Sequence, residues 1–408
     1  MDSASLAGPL SPISRLYLAR ALRDFGDGFV AILLPVYLAV LGLDVIQIGL
    51  VATAALLGSA LMTIGVGLVG ARYGYRRLLV AASALMLLSG LALAAVSDYA
   101  LILVAAFAGT INPSAGSVSV FVPLEHAALS QSIDDKNRTQ AFARYSLIGA
   151  LAAAVGALAA ASPDILGGIG VNRIVALKAM FVLYAVLGLA GGLLYAGLPA
   201  LTSGEGPPPT PLGPSRGIVY RLAALFSVDA FAGGFVVQSL LALWLFDRFG
   251  MSLVGAGLFF FWSGLLAAFS FPVAAWLARR IGLVNTMVYT HIPSSLFLIV
   301  AAVAPTLEIA LVCLLFRAAL SQMDVPTRSS YVMAVVTPPE RAAAASVTAV
   351  PRSLAAAVSP ALAGALYAAG LQAWPLIICG VLKIAYDVAL LWAFRHVKPP
   401  EEQGATFK

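Results

Sequence analysis

Charge is what this 408-residue chain has least of. Asp, Glu, Lys and Arg together make up 10% of it, while 61% is hydrophobic. A water-soluble domain carries nearer a quarter charged residues. The 24 basic and 18 acidic side chains cannot coat a globule of this length. A soluble enzyme, a nucleic-acid binder and a disordered chain are therefore excluded, and the net charge of +6 is better read as a signal of orientation in a membrane. Cysteine is nearly absent as well. Cys313 and Cys379 both lie in apolar runs, where they read as small hydrophobes and say nothing about redox compartment. With three histidines and no His-x-x-x-His or cysteine pair, no metal site is expected, and His126 beside Glu125 lacks further ligands. Missing too are a nucleotide-binding Gly-x-x-x-x-Gly-Lys-Ser/Thr loop, a His-Glu-x-x-His and a Gly-x-Ser-x-Gly elbow. ATP-driven transport within this chain, intramembrane catalysis and a bound cofactor are accordingly not expected. Met1 to Arg15 has two prolines and no apolar core of signal-peptide length, so no cleavage is expected there.

What is present is lipid-soluble helix. Crossing a bilayer core takes about 20 predominantly apolar residues. Twelve such stretches occur, near 16–41, 45–71, 78–97, 100–129, 139–162, 174–199, 218–246, 252–278, 283–304, 306–336, 342–369 and 372–394. They are long and continuously apolar, which excludes a β-barrel. Small residues such as Gly58, Gly65, Gly67 and Gly70 are expected to let helices approach closely. Twelve spans put both termini on one side. The connections on that side hold thirteen basic residues, against Arg173 and Arg248 on the other, so both termini are expected in the cytoplasm.

The longest polar interruption, Pro199 to Gly217, contains Pro207-Pro208-Pro209, Pro211 and Pro214. Such a segment is extended and semi-rigid. It divides the chain into an N-terminal six-helix half (1–199), a cytoplasmic linker (200–217), a C-terminal six-helix half (218–394) and a tail (395–408). The halves echo one another. Arg72-Tyr73-Gly74 corresponds to Arg280-Ile281-Gly282, Val122-Pro123 to Val325-Pro326, and Arg138 to Arg341. Two like-oriented six-helix halves point to a transporter built on a parallel repeat, with its site between them.

The segment Gly67-Leu68-Val69-Gly70-Ala71-Arg72-Tyr73-Gly74-Tyr75-Arg76-Arg77 resembles the loop signature of major facilitator superfamily transporters, roughly Gly-x-Leu-x-Asp-Arg-x-Gly-Arg-Lys. Gly67, Arg72, Gly74, Arg76 and Arg77 match, whereas Ala71 replaces the usual Asp. The resemblance thus implies a weakened or rebuilt cytoplasmic charge latch. Pro339-Glu340-Arg341, followed by a small-residue helix through Ser359-Pro360 to Gly364, is similar to the loop and helix after span ten in that family. The antiporter-type Gly-Pro of span five is absent from Gly149 to Gly156. The resemblance implies twelve helices in two pseudo-symmetric halves, alternating access, and a cavity lined by spans one, four, seven and ten.

A charge in the membrane costs a few kcal/mol on insertion scales, about 2.5–3.5 at the centre, and is a functional hypothesis by default. The acids inside spans are Asp24, Asp27, Glu125, Asp229, Asp324 and Asp387, and all but Asp387 fall on spans one, four, seven and ten. Arg20 with Asp24, Arg23 with Asp27, Asp324 with Arg328, and Lys383 with Asp387 are i,i+4 pairs that can meet on one helical face. For Lys383–Asp387 mutual neutralisation is the favoured reading; for Asp324–Arg328 it is coupling. Asp27 and Asp229 stand in roughly corresponding places, and Asp229 has no basic partner at i±3 or i±4, which favours it as a protonation site. The repeat puts Glu125 and Arg328 at one station, where they could bridge the halves and hold a gate shut. Arg144, Arg317 and Arg352, together with Arg20 and Arg23, are anion-binding or gating candidates, with snorkelling to head groups as the alternative for Arg144 and Arg352.

The function expected from these readings is secondary active transport of a small organic solute, proton-coupled, with export of a drug or metabolite as the first direction. Uptake or facilitated movement of an organic anion is the alternative. A transporter-like sensor or an intramembrane enzyme is the reading from another class. The expected partners are solute, protons and membrane lipid, with no nucleic acid. The chain is expected to be a monomer in a bacterial inner membrane, given its short loops.

Overall fold

A computed structural model describes residues 10–114, 119–131, 138–199, 212–337 and 340–397, main chain only at 68–72, 138–139 and 342. Among them the regular structure is helical, in sixteen helices: α1 (Pro12–Val40), α2 (Val45–Tyr73), α3 (Tyr75–Ala95), α4 (Tyr99–Ala108), α5 (Phe121–Gln131), α6 (Arg138–Ala159), α7 (Ser162–Gly168), α8 (Arg173–Ala196), α9 (Arg216–Gly234), α10 (Gln238–Phe249), α11 (Leu253–Ile281), α12 (Leu283–Ala302), α13 (Leu307–Ser321), α14 (Asp324–Val335), α15 (Arg341–Ala368) and α16 (Trp374–Phe394).

Ten segments among the described residues are long and apolar enough to cross a membrane. Two of the twelve expected spans fall outside that set, for different reasons. The first, α1, has ample length at 29 residues but carries Arg20, Arg23, Asp24 and Asp27 in two turns. The fourth is two short helices, α4 and α5, with non-helical backbone from Gly109 through Pro113 between them.

Spans seven and ten are broken as well. The first breaks at Phe235–Val237 between α9 and α10, and the second at Gln322–Met323 between α13 and α14. Pro326 explains the latter break. It lacks an N–H for the carbonyl of Gln322, so α13 stops and α14 restarts. Interrupted helices at membrane depth survive where they are covered by protein or line a cavity. Spans four, seven and ten are three of the four that the family resemblance assigns to the pathway.

The repeat expected from sequence has a conformational counterpart. Gly74 and Gly282 each join two helices head to tail, with φ of 75° and 88°. Only glycine adopts that region without strain.

Helices from the two expected halves meet mainly along three seams, α2 on α15, α6 on α11 and α1 on α10, with smaller contacts of α1 and α7 on α11. The close approaches on these seams gather at one end of the bundle. Thr53 Oγ1 accepts the N–H of Ala361 at 3.0 Å, Gly49 lies against Pro360 and Gly364, and Gly257 lies against Ala157. Beyond the seams, Ser239 donates its N–H to the Pro113 carbonyl at 3.0 Å. The described chain ends lie at the opposite end. There Arg15 approaches Gly197, and Tyr331 donates to the Val397 carbonyl at 3.0 Å. At this termini end Gly65 and Gly67 have open space around them. Of the small residues expected to bring α2 close to a neighbour, Gly58 does so, against the Phe107 carbonyl, whereas the side chain position at Gly70 lies outside the described residues.

Candidate functional site

The ionisable residues inside the bundle collect into two buried clusters. The first is built on α1. Arg20 and Asp24 meet as one turn of helix dictates, Nε to Oδ2 at 2.7 Å. Arg23 turns away from Asp27, its expected i,i+4 partner. Its Nε reaches Asp24 at 3.2 Å and its Nη1 reaches Glu125 on α5 at 3.0 Å, with the guanidinium over the Phe121 ring. Glu125 is fully buried and accepts two phenols, Tyr145 of α6 at 2.5 Å and Tyr195 of α8. Asp27 accepts from the Tyr184 hydroxyl at 3.1 Å. A buried charge must be paired and hydrogen-bonded or it costs several kcal/mol. Asp24 and Glu125 meet that condition through partners drawn from α1, α6 and α8.

The second cluster is centred on Asp229 of α9. Lys383 of α16 donates to Oδ1 at 2.5 Å, and Arg328 of α14 donates to Oδ2 at 3.3 Å. Arg328 also binds Asp324, one turn earlier on its own helix, at 2.8 Å. His291 of α12 lies 3.9 Å from Asp229 through Nε2, and its Nδ1 is 3.1 Å from Asp387. Asp229 therefore has the basic neighbours that its own helix lacks, and they arrive from α12, α14 and α16. Lys383 does not pair with Asp387 as the i,i+4 spacing suggests. It reaches across to α9 instead, and Asp387 is buried against His291 rather than turned to lipid.

Glu125 and Arg328 do not bridge the halves in this structure; each is paired within its own. The two bridges nevertheless correspond. Gly28 packs against the Ala153 carbonyl as Gly234 packs against that of Ala356. Gly156 lies on the Phe25 carbonyl, and the equivalent Ser359 donates to the Phe231 carbonyl at 2.5 Å. This register pairs Arg23 with Asp229, one turn from the expected pairing of Asp27 with Asp229. Arg23–Glu125 and Asp229–Arg328 then join the first and fourth spans of each half at one station, with the charges exchanged.

The remaining candidates are dispersed. Arg352 of α15 is half-buried, its Nε has no hydrogen-bond partner, and Arg328, Asp229, Asp324 and Tyr386 are its charged or polar neighbours. Arg317 of α13 is half-buried near Cys379. Arg144 is exposed on α6. In the loop signature Arg76 donates to the Leu198 carbonyl at 3.2 Å, Arg77 is exposed, and the Arg72 side chain lies outside the described residues. Sequence reasoning passed over two features. His291 is one, although Thr286, Thr290, His291, Ser294 and Ser295 form a polar run in an apolar span, all buried. The bonding of Glu340, which the sequence marks only as part of the Pro339-Glu340-Arg341 loop, is the other. Glu340 accepts from Ser215 Oγ at 2.6 Å, Thr337 Oγ1 at 2.5 Å and the Gly213 and Ser215 N–H groups, and these donors hold its carboxyl down at about 2. It ties the end of the linker to the loop before α15.

Comparison with known proteins agrees with this architecture. An uncharacterized membrane protein of Saccharomyces cerevisiae is 24% identical, the alignment covering 94% of each chain. The crystal structure of a bacterial homolog of the human lysosomal transporter Spinster, inward-facing and occupied, superposes with a TM-score of 0.74 at 16% identity, over 94% of this chain and 96% of that one. The nucleoside transporter NupG gives 0.72 at 14% identity, over 95% and 100%. The human organic anion transporter MFSD10 gives 0.66 at 16% identity, over 93% and 98%. At these identities the likeness shows the fold. Residues 16–320 and 222–408 match the Major Facilitator Superfamily, and the chain belongs to that family of small-solute membrane transporters.

Proposed function

We propose that the protein is a proton-coupled secondary transporter of a small organic solute, with Asp229 as the carboxylate on which proton and solute meet. The supporting observation is the placement of its partners. Lys383 and Arg328 reach Asp229 from two other helices, at 2.5 and 3.3 Å. Asp229, Arg328 and Lys383 lie on three helices of one half, so any movement of α9, α14 and α16 against one another during transport must separate the ion pair they share. Separating it without compensation leaves a buried charge unpaired, at a cost of several kcal/mol. A proton on Asp229 removes the carboxylate charge and releases Lys383, while Arg328 keeps its pair with Asp324. A solute group that donates to Asp229 competes with that proton, and competition for one site is the physical basis of exchange. In this reading the solute, a drug or metabolite, leaves as a proton enters. Both termini are taken to face the cytoplasm, as the basic residues of the loops imply, and the short loops favour a bacterial inner membrane.

A second reading has one observation in its favour. Arg352 carries a buried Nε without a partner beside the Arg328–Asp229 bridge. A carboxylate or phosphate on the solute would engage Arg352 and Arg328 together, since guanidinium groups suit bidentate anion binding. Asp229, relieved of Arg328, would then take up a proton, so solute and proton would travel together. The relatives named for nucleosides and organic anions are compatible with a small polar solute of either kind. Purified protein in liposomes under an imposed pH gradient distinguishes the readings. Cationic or neutral solutes moving against the proton flow support exchange, and anions moving with it support the second. Flux indifferent to the gradient contradicts both.

A further inference from the structure

Behind Asp229, away from the three broken spans, a line of polar groups runs into the helix layer formed by α12 and α16. Lys383 Nζ lies 2.5 Å from Asp229 and 3.4 Å from His291 Nε2, and His291 Nδ1 lies 3.1 Å from Asp387 Oδ1. Hydrogen-bond roles along this line are fixed by chemistry. The Lys383 ammonium only donates, so His291 Nε2 accepts, and the neutral imidazole carries its hydrogen on Nδ1 and donates it to Asp387. The line ends there. Asp387 is fully buried, and its Oδ2 has no hydrogen-bond partner. A bare carboxylate oxygen in such a place costs far more than a carboxyl O–H. Nothing in solute recognition calls for these groups, because His291 and Asp387 sit on spans nine and twelve, outside the four that line the pathway.

We infer that His291 and Asp387 form a proton-binding site set behind the solute cavity and joined to Asp229 through Lys383. The transfer balances. Lys383 passes a proton to His291 Nε2, the Nδ1 proton passes to Asp387, and Lys383 regains one from Asp229 after that carboxyl has been protonated from the cavity. One proton enters at Asp229 and one is stored on Asp387. Solute can then leave Asp229 while its proton is held one layer away. The groups facing His291 are Asp229 from α9 and Lys383, Tyr386 and Asp387 from α16; Arg328 and Asp324 of α14 lie beyond Asp229, and Arg317 of α13 lies near Cys379. The basic residues of α11, Arg279 and Arg280, lie at its far end. The inference rests on the proton-coupled reading above, but its test does not use transport.

The chain holds three histidines, so His126→Gln with His396→Gln leaves His291 as the one imidazole. Nitrogen NMR of that protein in lipid bilayers, with infrared detection of carboxyl bands, should show the imidazole hydrogen moving from Nδ1 to Nε2 as a buried carboxyl is protonated, in one step. The measurement runs from about pH 5 to 8, around the ordinary imidazole value. Asp387→Asn should abolish the carboxyl band. Imidazole and carboxyl signals that stay constant across that range overturn the inference, as does a band that survives Asp387→Asn. Should Asp387→Asn fail to assemble, Asp387→Glu in the same infrared titration should shift the band, and a band that stays in place overturns the inference. A joint step with gradient-independent transport leaves this site standing and removes the proposed function. Gradient-driven transport without the step does the reverse.

Discussion

At the scale of single residues, the two clusters differ in how many helices they tie together through charge. Asp229 is bound by cations from α14 and α16, so replacing it should be felt in both stability and coupling. Asp229→Asn leaves Lys383 and Arg328 buried with less compensation, and breaking a buried pair from one side costs about 3–5 kcal/mol. We expect a loss of that order in detergent unfolding, partly restored by Lys383→Met in the same chain, and coupling energy between the two positions in a double-mutant cycle. A cycle with purely additive losses would separate Lys383 from Asp229. Glu340 makes a different prediction. Its carboxyl is held from 4.5 down to about 2 by Ser215, Thr337 and two N–H groups. A depressed carboxyl contributes stability that is complete above the ordinary value and lost as pH falls through the folded one. Protease cleavage around Gly213–Ser215 should therefore be the same at pH 5 and pH 8, and several-fold faster in Glu340→Gln at both. Sequence revealed where the membrane charges are but not whom they meet. The partners of Asp229 lie on helices about 60, 100 and 150 residues away, and i,i+4 spacing reports only the neighbours on one helix.

At the scale of helices, close packing is concentrated at glycines that face backbone, and open space surrounds others. Gly234 lies against the Ala356 carbonyl and Ser359, while nothing lies near Gly65. Gly234→Val should thus cost about 1–3 kcal/mol through overpacking, and Gly65→Ala should stay within about 0.5 kcal/mol, as surface changes do. Equal effects in thermal unfolding of the two variants would contradict the register drawn between α9 and α15. Hydropathy located the long apolar segments because each is defined by its own composition. It did not reveal that spans four, seven and ten are broken, since windows of about 20 residues average across a few non-helical ones. Pro113 and Pro326 were visible in the sequence, yet a membrane proline can kink a helix or end it, and the neighbouring helices decide which. The Arg23–Asp229 equivalence was hidden for a related reason, because it follows from which carbonyl each glycine faces.

At the scale of the molecule, the close approaches described on the seams α2–α15 and α6–α11 lie at the end away from the termini. Alternating access requires the far end to part. With Cys313 and Cys379 replaced by Ser, a disulfide between Thr53→Cys and Ala361→Cys, whose native residues are hydrogen-bonded at 3.0 Å, should hold it shut. Transport in liposomes should then fall to background and return on reduction. Unchanged flux with the disulfide formed would mean that this seam does not open.

Coupling itself is reciprocal, because whatever a proton gradient does to solute, a solute gradient must do to protons. The most direct measurement therefore loads liposomes containing the protein with one solute, imposes no pH gradient, and follows pH with a trapped dye. The account predicts proton movement that starts with the solute gradient and is absent in Asp229→Asn. Solute movement with no change in pH, or a pH change that survives Asp229→Asn, would contradict it.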